Sequence, residues 1–151
     1  AMLIALIGDS CTGKSSIAEQ LRSSMAATVF SGKDYLRLAK DETTAAALFK
    51  EQLAAAVAGG AIVYVISEPE QLDLLPKGAL RVLVTASLET IQRRFAERMH
   101  GTLPAPVADM LKRKHGRFEA GEYALRIDTD QMSAAEACSR ILSISLQDKA
   151  E

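Results

Sequence analysis

The chain has 151 residues, 48% of them hydrophobic, with 18 Lys and Arg against 19 Asp and Glu. That length suits one domain with a substantial core, and a net charge of −1 excludes the overall basic field that would hold nucleic acid or an anionic membrane. No apolar run approaches the roughly 20 residues a membrane-spanning helix needs, no leader-type cleavage sequence follows the short apolar start, and a cytoplasmic protein is the expectation.

Met2 to Ile7 is a continuous apolar run stopped by Gly8, the pattern of a strand buried on both faces of a parallel sheet. A helix then starts near Gly13, with Ile17, Leu21 and Met25 on one face, and Ala27 to Phe30 reads as a second strand ended by Ser31 and Gly32. Thr43 to Ala58 is rich in helix formers, places Phe49, Leu53 and Val57 on one side, and stops at Gly59 and Gly60. Ala61 to Ile66 and Leu80 to Thr85 are two further strands, separated by a polar stretch that contains Pro69 and Pro76. Ser87 can cap the next helix, whose apolar face is Leu88, Ile91, Phe95 and Met99 and which breaks at Gly101, Pro104 and Pro106.

A mobile insertion is expected from there, with Val107 to Glu119 as a basic, weakly amphipathic segment. Tyr123 to Ile127 is the fifth strand, and Ser133 with Glu136 has capping-box spacing ahead of a last helix bearing Ala137, Ile141 and Ile144. Alternating strands and helices at these lengths imply an α/β fold: a parallel sheet with helices on both faces, in a single domain over 2–151. The two cysteines, Cys11 and Cys138, have neither metal-type nor disulfide-framework spacing.

The chemistry is concentrated in Gly8-Asp9-Ser10-Cys11-Thr12-Gly13-Lys14-Ser15. This run satisfies G-x-x-x-x-G-K-[ST] and sits between a strand and a helix, the context that a phosphate-binding P-loop requires. Successive backbone N–H groups and the helix N-terminus can wrap a phosphate, while the glycines allow the turn and a close backbone approach. Lys14 would bring positive charge to the β- and γ-phosphates, and the Ser15 hydroxyl would ligate Mg²⁺. Gly8 to Ser15, Ser16 beside them and Arg94 further on form the expected ATP-binding set. Cys11 lies near a helix N-terminus, which can lower a thiol pKa, but a small side chain at a variable loop position accounts for it.

Beyond the loop, Ser31-Gly32-Lys33-Asp34-Tyr35-Leu36-Arg37 follows the second strand. Here the sequence resembles the adenylate-kinase-like nucleoside monophosphate kinases, whose corresponding stretch reads Ser-Thr-Gly-Asp-Leu-Leu-Arg. The resemblance implies that Arg37 grips the phosphate of an acceptor nucleotide; a solvated helix arginine is the plainer alternative. Asp34 either accepts the proton of an acceptor hydroxyl or holds a magnesium-bound water, as a carboxylate facing a transferring phosphoryl group can, or it caps a helix beginning at Tyr35. Arg94 and Arg98 share a helix face at a spacing similar to the R-x-x-x-R of adenylate-kinase-like and small sugar-acid kinases. By that resemblance Arg94 would lie against the nucleotide base and Arg98 would reach the phosphates, whereas Glu89 and Glu97 explain Arg93 as a member of surface pairs. Arg113, Lys114, His115 and Arg117 form a basic cluster that can close over the phosphates, with no partner in sequence to orient His115.

Ile127-Asp128-Thr129-Asp130 is similar to the last strand of these kinases, where the following loop borders the adenine. The resemblance spans nearly the whole chain. It implies a three-layer P-loop kinase fold, a five-stranded parallel sheet ordered 2-3-1-4-5, an acceptor-binding segment over about 31–58 and a short lid over about 99–120. The expected function is transfer of the ATP γ-phosphoryl group to a small acceptor, foremost a nucleoside monophosphate, with catalytic residues Lys14, Asp34, Arg94 and Arg98. The partners are then ATP and the acceptor, with neither nucleic acid nor membrane, in a monomer or homodimer.

One departure keeps the acceptor open. These kinases carry Asp-Gly-x-Pro-Arg after the third strand, and this chain has Ser67-Glu68-Pro69-Glu70-Gln71. The second acceptor-binding arginine is absent, and Glu68 stands in the region of the magnesium-side carboxylate. A sugar acid or another small alcohol is the alternative acceptor. The readings of another class are a nucleotide-binding switch or ATPase module with a protein partner, and a kinase relic that binds nucleotide without turnover.

Overall fold

The computed structural model describes residues 2–150, with side chains described through residue 146. Five strands, β1 (Met2–Ile7), β2 (Thr28–Ser31), β3 (Ala61–Ile66), β4 (Leu80–Thr85) and β5 (Leu125–Asp128), form one parallel sheet in the order β2-β3-β1-β4-β5. Parallel neighbours require crossover connections, and these are supplied by α1 (Lys14–Met25), α2 (Glu42–Gly59), α3 (Leu88–Arg98) and α4 (Ala105–Lys114), with α5 (Ala134–Ala150) closing the chain. Residue for residue, β1 pairs with β3 from Met2 opposite Ala61 to Ile7 opposite Ile66, and on its other side Ile4 to Ile7 meet Leu80 to Leu83 of β4.

Central position explains why β1 reads as unbroken hydrophobicity. Ile4 and Leu6 enter one core with Ile17, Leu21 and Ile141 of α1 and α5, while Leu3, Ala5 and Ile7 enter the opposite core with Phe49 and Leu53 of α2. These are the three expected layers. Phe49 is fully buried, which stabilises the fold by about 1.5–3 kcal/mol. Its ring stacks on Tyr35 at 5.2 Å and meets Tyr64 edge-on at 4.9 Å. Asp41 starts α2 by accepting from the Thr44 N–H at 3.0 Å, a cap worth about 1 kcal/mol. Ser87 does the same for α3 through the Thr90 N–H.

A third, smaller core joins α3 and α4 to the sheet's carboxyl edge through Cys11, Ala86, Ile91 and Leu111. It holds the arginine-bearing helix against the loop after β1. That loop lies where neighbouring strands diverge in sequence, β3 on one side of β1 and β4 on the other, the switch point at which ligands bind to open α/β sheets.

Several boundaries differ from the sequence reading. The second strand runs Thr28–Ser31 and the fifth starts at Leu125, because Tyr123 is turned out of the ladder and its hydroxyl donates to the Phe118 carbonyl at 2.6 Å. Instead of a helix from Tyr35 there is a 3₁₀ turn over Asp34–Leu38, and Pro69–Leu74 forms a second one. Met99 is the C-cap of α3 and stands 37% exposed, since His100 and Gly101 both take positive φ and end the helix before it can complete an apolar turn. Among the described residues, no helix is long and apolar enough to cross a membrane.

Candidate phosphate-binding site

The loop after β1 has its amides turned one way and its carbonyls the other. Among the described residues, the N–H groups of Asp9 to Ser16 donate to no acceptor within the chain. The carbonyls, in contrast, are almost all taken. Lys14 Nζ donates to Gly8 O at 2.7 Å and Asp9 O at 2.5 Å, Arg94 Nη1 to Cys11 O at 3.0 Å, Thr129 Oγ1 to Thr12 O at 2.6 Å, and the Ile17 N–H to Gly13 O at 3.3 Å. Unpaired amides converging at the N-terminus of α1 form a concave anion site with the helix dipole behind it.

Two backbone positions make this shape possible. A Cβ at Gly8 would stand 2.1 Å from the Val84 carbonyl oxygen, and Gly13 sits at φ +102° with its would-be Cβ 3.2 Å from the Thr129 methyl. Cys11 takes φ 65° without being glycine, a conformation of low population that the third core holds in place.

Lys14 is buried at 5% exposure, and burial lowers its pKa from 10.5 to about 8, against the opposing pull of the Asp9 charge. Ser15 and Ser16 are exposed beside it, and the Ser15 hydroxyl has no partner among the described residues. No three His, Cys, Asp or Glu side chains stand together as a metal cage among those residues. A free hydroxyl beside an anion site fits magnesium, which keeps several waters and binds through few protein ligands plus phosphate oxygens.

Two cavities meet at the loop. The larger, about 530 Å³, lies between the loop, α3 and the turn after β5, and is lined by Cys11, Gly13, Arg94, Arg98, Thr129 and Met132 among others. The smaller, about 120 Å³, contains Lys14, Ser15, Ser67 and Arg98. Arg98 borders both. The structure therefore brings the Arg94 and Arg98 pair of the sequence reading onto the loop. Glu97 makes no ion pair with Arg93 among the described residues and borders the larger cavity instead.

The segment after α4 lies across the loop. Asp9 accepts the Gly116 N–H at 3.0 Å on one carboxylate oxygen and Arg117 Nε at 3.2 Å on the other. Arg117 also donates to the Ser67 carbonyl at 2.7 Å and pairs with Glu68 at 3.3 Å, and Lys114 approaches Glu68 at 4.0 Å. A ring nitrogen of His115 lies 3.1 Å from the Ala86 carbonyl, so a backbone group orients it. Nothing local in the sequence signals these contacts, which join positions up to 108 residues apart.

Asp34 and Arg37 stand elsewhere. Asp34 Oδ2 accepts the Ser31 N–H at 2.9 Å, bracing the turn after β2 and capping no helix. Arg37 Nε donates to the Asp34 carbonyl at 3.3 Å, its side chain 80% exposed and 3.9 Å from the Asp34 carboxylate. Neither hydrogen-bonds the loop. Ser31, Ser15 and Val65 border a separate groove of about 480 Å³ between α1 and β2.

No family model matches the sequence, and no curated protein matches it. Solved structures do match the fold. A shikimate kinase from Acinetobacter baumannii in complex with shikimate is 14% identical over 99% of this chain and 96% of its own, with a TM-score of 0.68. A YorR protein from Bacillus subtilis, in complex with phosphorylated GDP, is 21% identical over 99% of both chains with a TM-score of 0.65. A gluconokinase from Sinorhizobium meliloti is 18% identical over 99% of this chain and 98% of its own, with a TM-score of 0.61. The chain has the α/β fold of the P-loop small-molecule kinases over nearly its whole length.

Proposed function

We propose that this protein is an ATP-dependent kinase that moves the γ-phosphoryl group of ATP to a small acceptor. The observation that carries this reading is the row of unpaired amides from Asp9 to Ser16, opening onto one cavity of nucleoside size and another that holds Lys14 and Arg98. In this reading the β-phosphate takes the amide cradle and Arg94 lies against the base. Lys14 and Arg98 neutralise charge on the transferring group, which is the main demand of phosphoryl transfer. Ser15 would hold Mg²⁺, which would supply positive charge to offset that of the phosphates.

On the acceptor side, Arg37 takes the anionic group of a nucleoside monophosphate, whose phosphate oxygen is then the nucleophile, and Asp34 takes the hydroxyl proton where the acceptor is an alcohol. A sugar acid or another small alcohol is the second acceptor reading, and a specific observation supports it: the turn after β3, Ser67-Glu68-Pro69-Glu70-Gln71, has no arginine to grip a second phosphate, and its Glu68 instead pairs with Arg117 at 3.3 Å.

Incubation with ATP, Mg²⁺ and a mixture of nucleoside monophosphates, sugar acids and small alcohols, read by mass for a gained phosphoryl group, tests the proposal. Transfer to a small molecule is the expected result. ATP turnover confined to water, together with a stable protein partner in pull-downs, would replace it with the switch or ATPase reading. ADP binding with no product across the panel would favour a nucleotide-binding relic.

A further inference from the structure

A cradle of inward amides can persist only if its outward carbonyls find donors, because a peptide plane that turns its N–H one way turns its C=O the other. In this loop the carbonyls of Cys11 and Thr12 point out on the side of β5, at the two residues that precede Gly13. Each is met by a side chain from far along the sequence: Arg94 Nη1 on Cys11 O at 3.0 Å and Thr129 Oγ1 on Thr12 O at 2.6 Å.

Thr129 has the central position. Its hydroxyl proton can serve one acceptor, and Thr12 O is much nearer than Thr85 O, which lies at 3.3 Å. The oxygen's lone pairs then accept from Arg94 Nη1 at 3.0 Å. The backbone of Thr129 is pinned by its own N–H to Thr85 O at 2.9 Å, and its methyl lies against Gly13. One side chain thus joins the ends of β4 and β5, the loop carbonyl and the arginine of the larger cavity. Thr12 itself is 2% exposed, so water has little access with which to replace the hydroxyl.

We propose that Thr129 is a positioning residue for nucleotide phosphate, acting through the Thr12 carbonyl to hold the Gly13 N–H of the same peptide plane turned inward, and through Arg94, which meets the Cys11 carbonyl, to tie the Thr12 N–H and the base cavity to that orientation. The inference rests on the reading of the loop as a nucleotide phosphate site. Removing the hydroxyl leaves the Thr12 carbonyl without a donor, and the peptide plane relaxes away from the anion.

The test uses Thr129→Val, which keeps the shape without the hydroxyl, and Thr129→Ser, which keeps the hydroxyl without the methyl. ADP with Mg²⁺ is titrated by calorimetry, with inorganic pyrophosphate as a competitor that has no base, and thermal unfolding is followed without ligand. Thr129→Val should weaken ADP and pyrophosphate together by about five- to tenfold, the scale of one neutral hydrogen bond, and Thr129→Ser should restore both to within about twofold of the unaltered protein. Unchanged ADP affinity in Thr129→Val overturns the inference. So does an equal loss in Thr129→Ser, or a loss for ADP that pyrophosphate does not share. A drop in unfolding temperature with unaltered affinity makes Thr129 merely structural. Where Thr129→Val fails to fold, Thr129→Ala carries the same comparison. Absence of ADP binding in the unaltered protein instead defeats the phosphate reading of the loop, a separate result.

Discussion

Arg117 Nε lies 3.2 Å from Asp9 Oδ1, joining the segment after α4 to the second residue of the phosphate loop. The two side chains are 24% and 13% exposed, between a surface pair and a buried one. Arg117→Ala should therefore cost about 1–2 kcal/mol, above the usual surface value and below that of a buried pair. Denaturant unfolding measures the loss, and limited proteolysis should cut faster between residues 99 and 122. Asp9→Asn should reproduce part of the effect, and the double variant should lose less than the sum, because the two residues share one contact.

Lys14→Ala should abolish transfer with the fold retained, as circular dichroism can check; full activity would sink the proposed mechanism. The lysine's pKa also sets a pH dependence. Burial brings it to about 8 in the folded chain against 10.5 for the ordinary side chain. ADP affinity of the protein should accordingly be level below pH 8 and fall as the ammonium loses its proton above it. For stability the sign is the reverse. The fold disfavours the charged form, so the burial cost is present in full below pH 8 and fades as pH rises toward 10.5. Lys14→Met should lack both trends, by calorimetry and by unfolding at matched pH.

Arg94 and Arg98 should separate by readout. Arg94 holds the Cys11 carbonyl and Thr129, so Arg94→Ala should both destabilise the chain by about 1–3 kcal/mol, as an orphaned partner costs, and weaken ADP binding. Arg98 is exposed and makes no ion pair among the described residues. Arg98→Ala should leave the unfolding temperature within error and lower kcat tenfold or more, the scale of a lost charge contact in transfer.

Gly8→Ala should fail to form a native loop, since its methyl would stand 2.1 Å from the Val84 carbonyl oxygen, a distance that backbone atoms cannot yield without moving β4. Low soluble yield and loss of ADP binding together are the expected outcome.

Phe49→Ala should cost about 3–5 kcal/mol by denaturant titration, the range for a large aromatic removed from a closed core. Because Tyr35 stacks on that ring, the 3₁₀ turn that carries Asp34 and Arg37 should loosen at the same time, visible as faster amide exchange over residues 33–38.

Much of the frame was legible along the chain. β1, β3 and β4 run over the residues that their apolar runs marked, because strands buried on both faces need continuous hydrophobicity and show it. β2 and β5 were displaced by one or two residues, since each is four residues long and half exposed, which leaves little pattern to read. The loop Gly8 to Ser15 was legible in full as a motif, its glycines being demanded by φ and by contact. Asp34 shows the opposite case: its spacing allowed a helix cap, and the chain instead bends back so that the carboxylate meets Ser31.

By itself the sequence determined the class of fold, the order of its elements and the place of a phosphate loop, all of which follow from periodicity and from spacing within a dozen residues. Tertiary structure alone decided which distant side chains complete that loop. Arg117 and Thr129 had only a basic cluster and a loose strand-end likeness behind them, yet they hold Asp9 and the Thr12 carbonyl. The physical reason is that their partners are a carboxylate and a backbone oxygen more than 100 residues away. Such contacts leave no local periodicity and form only where the carboxyl ends of β1, β4 and β5 come together.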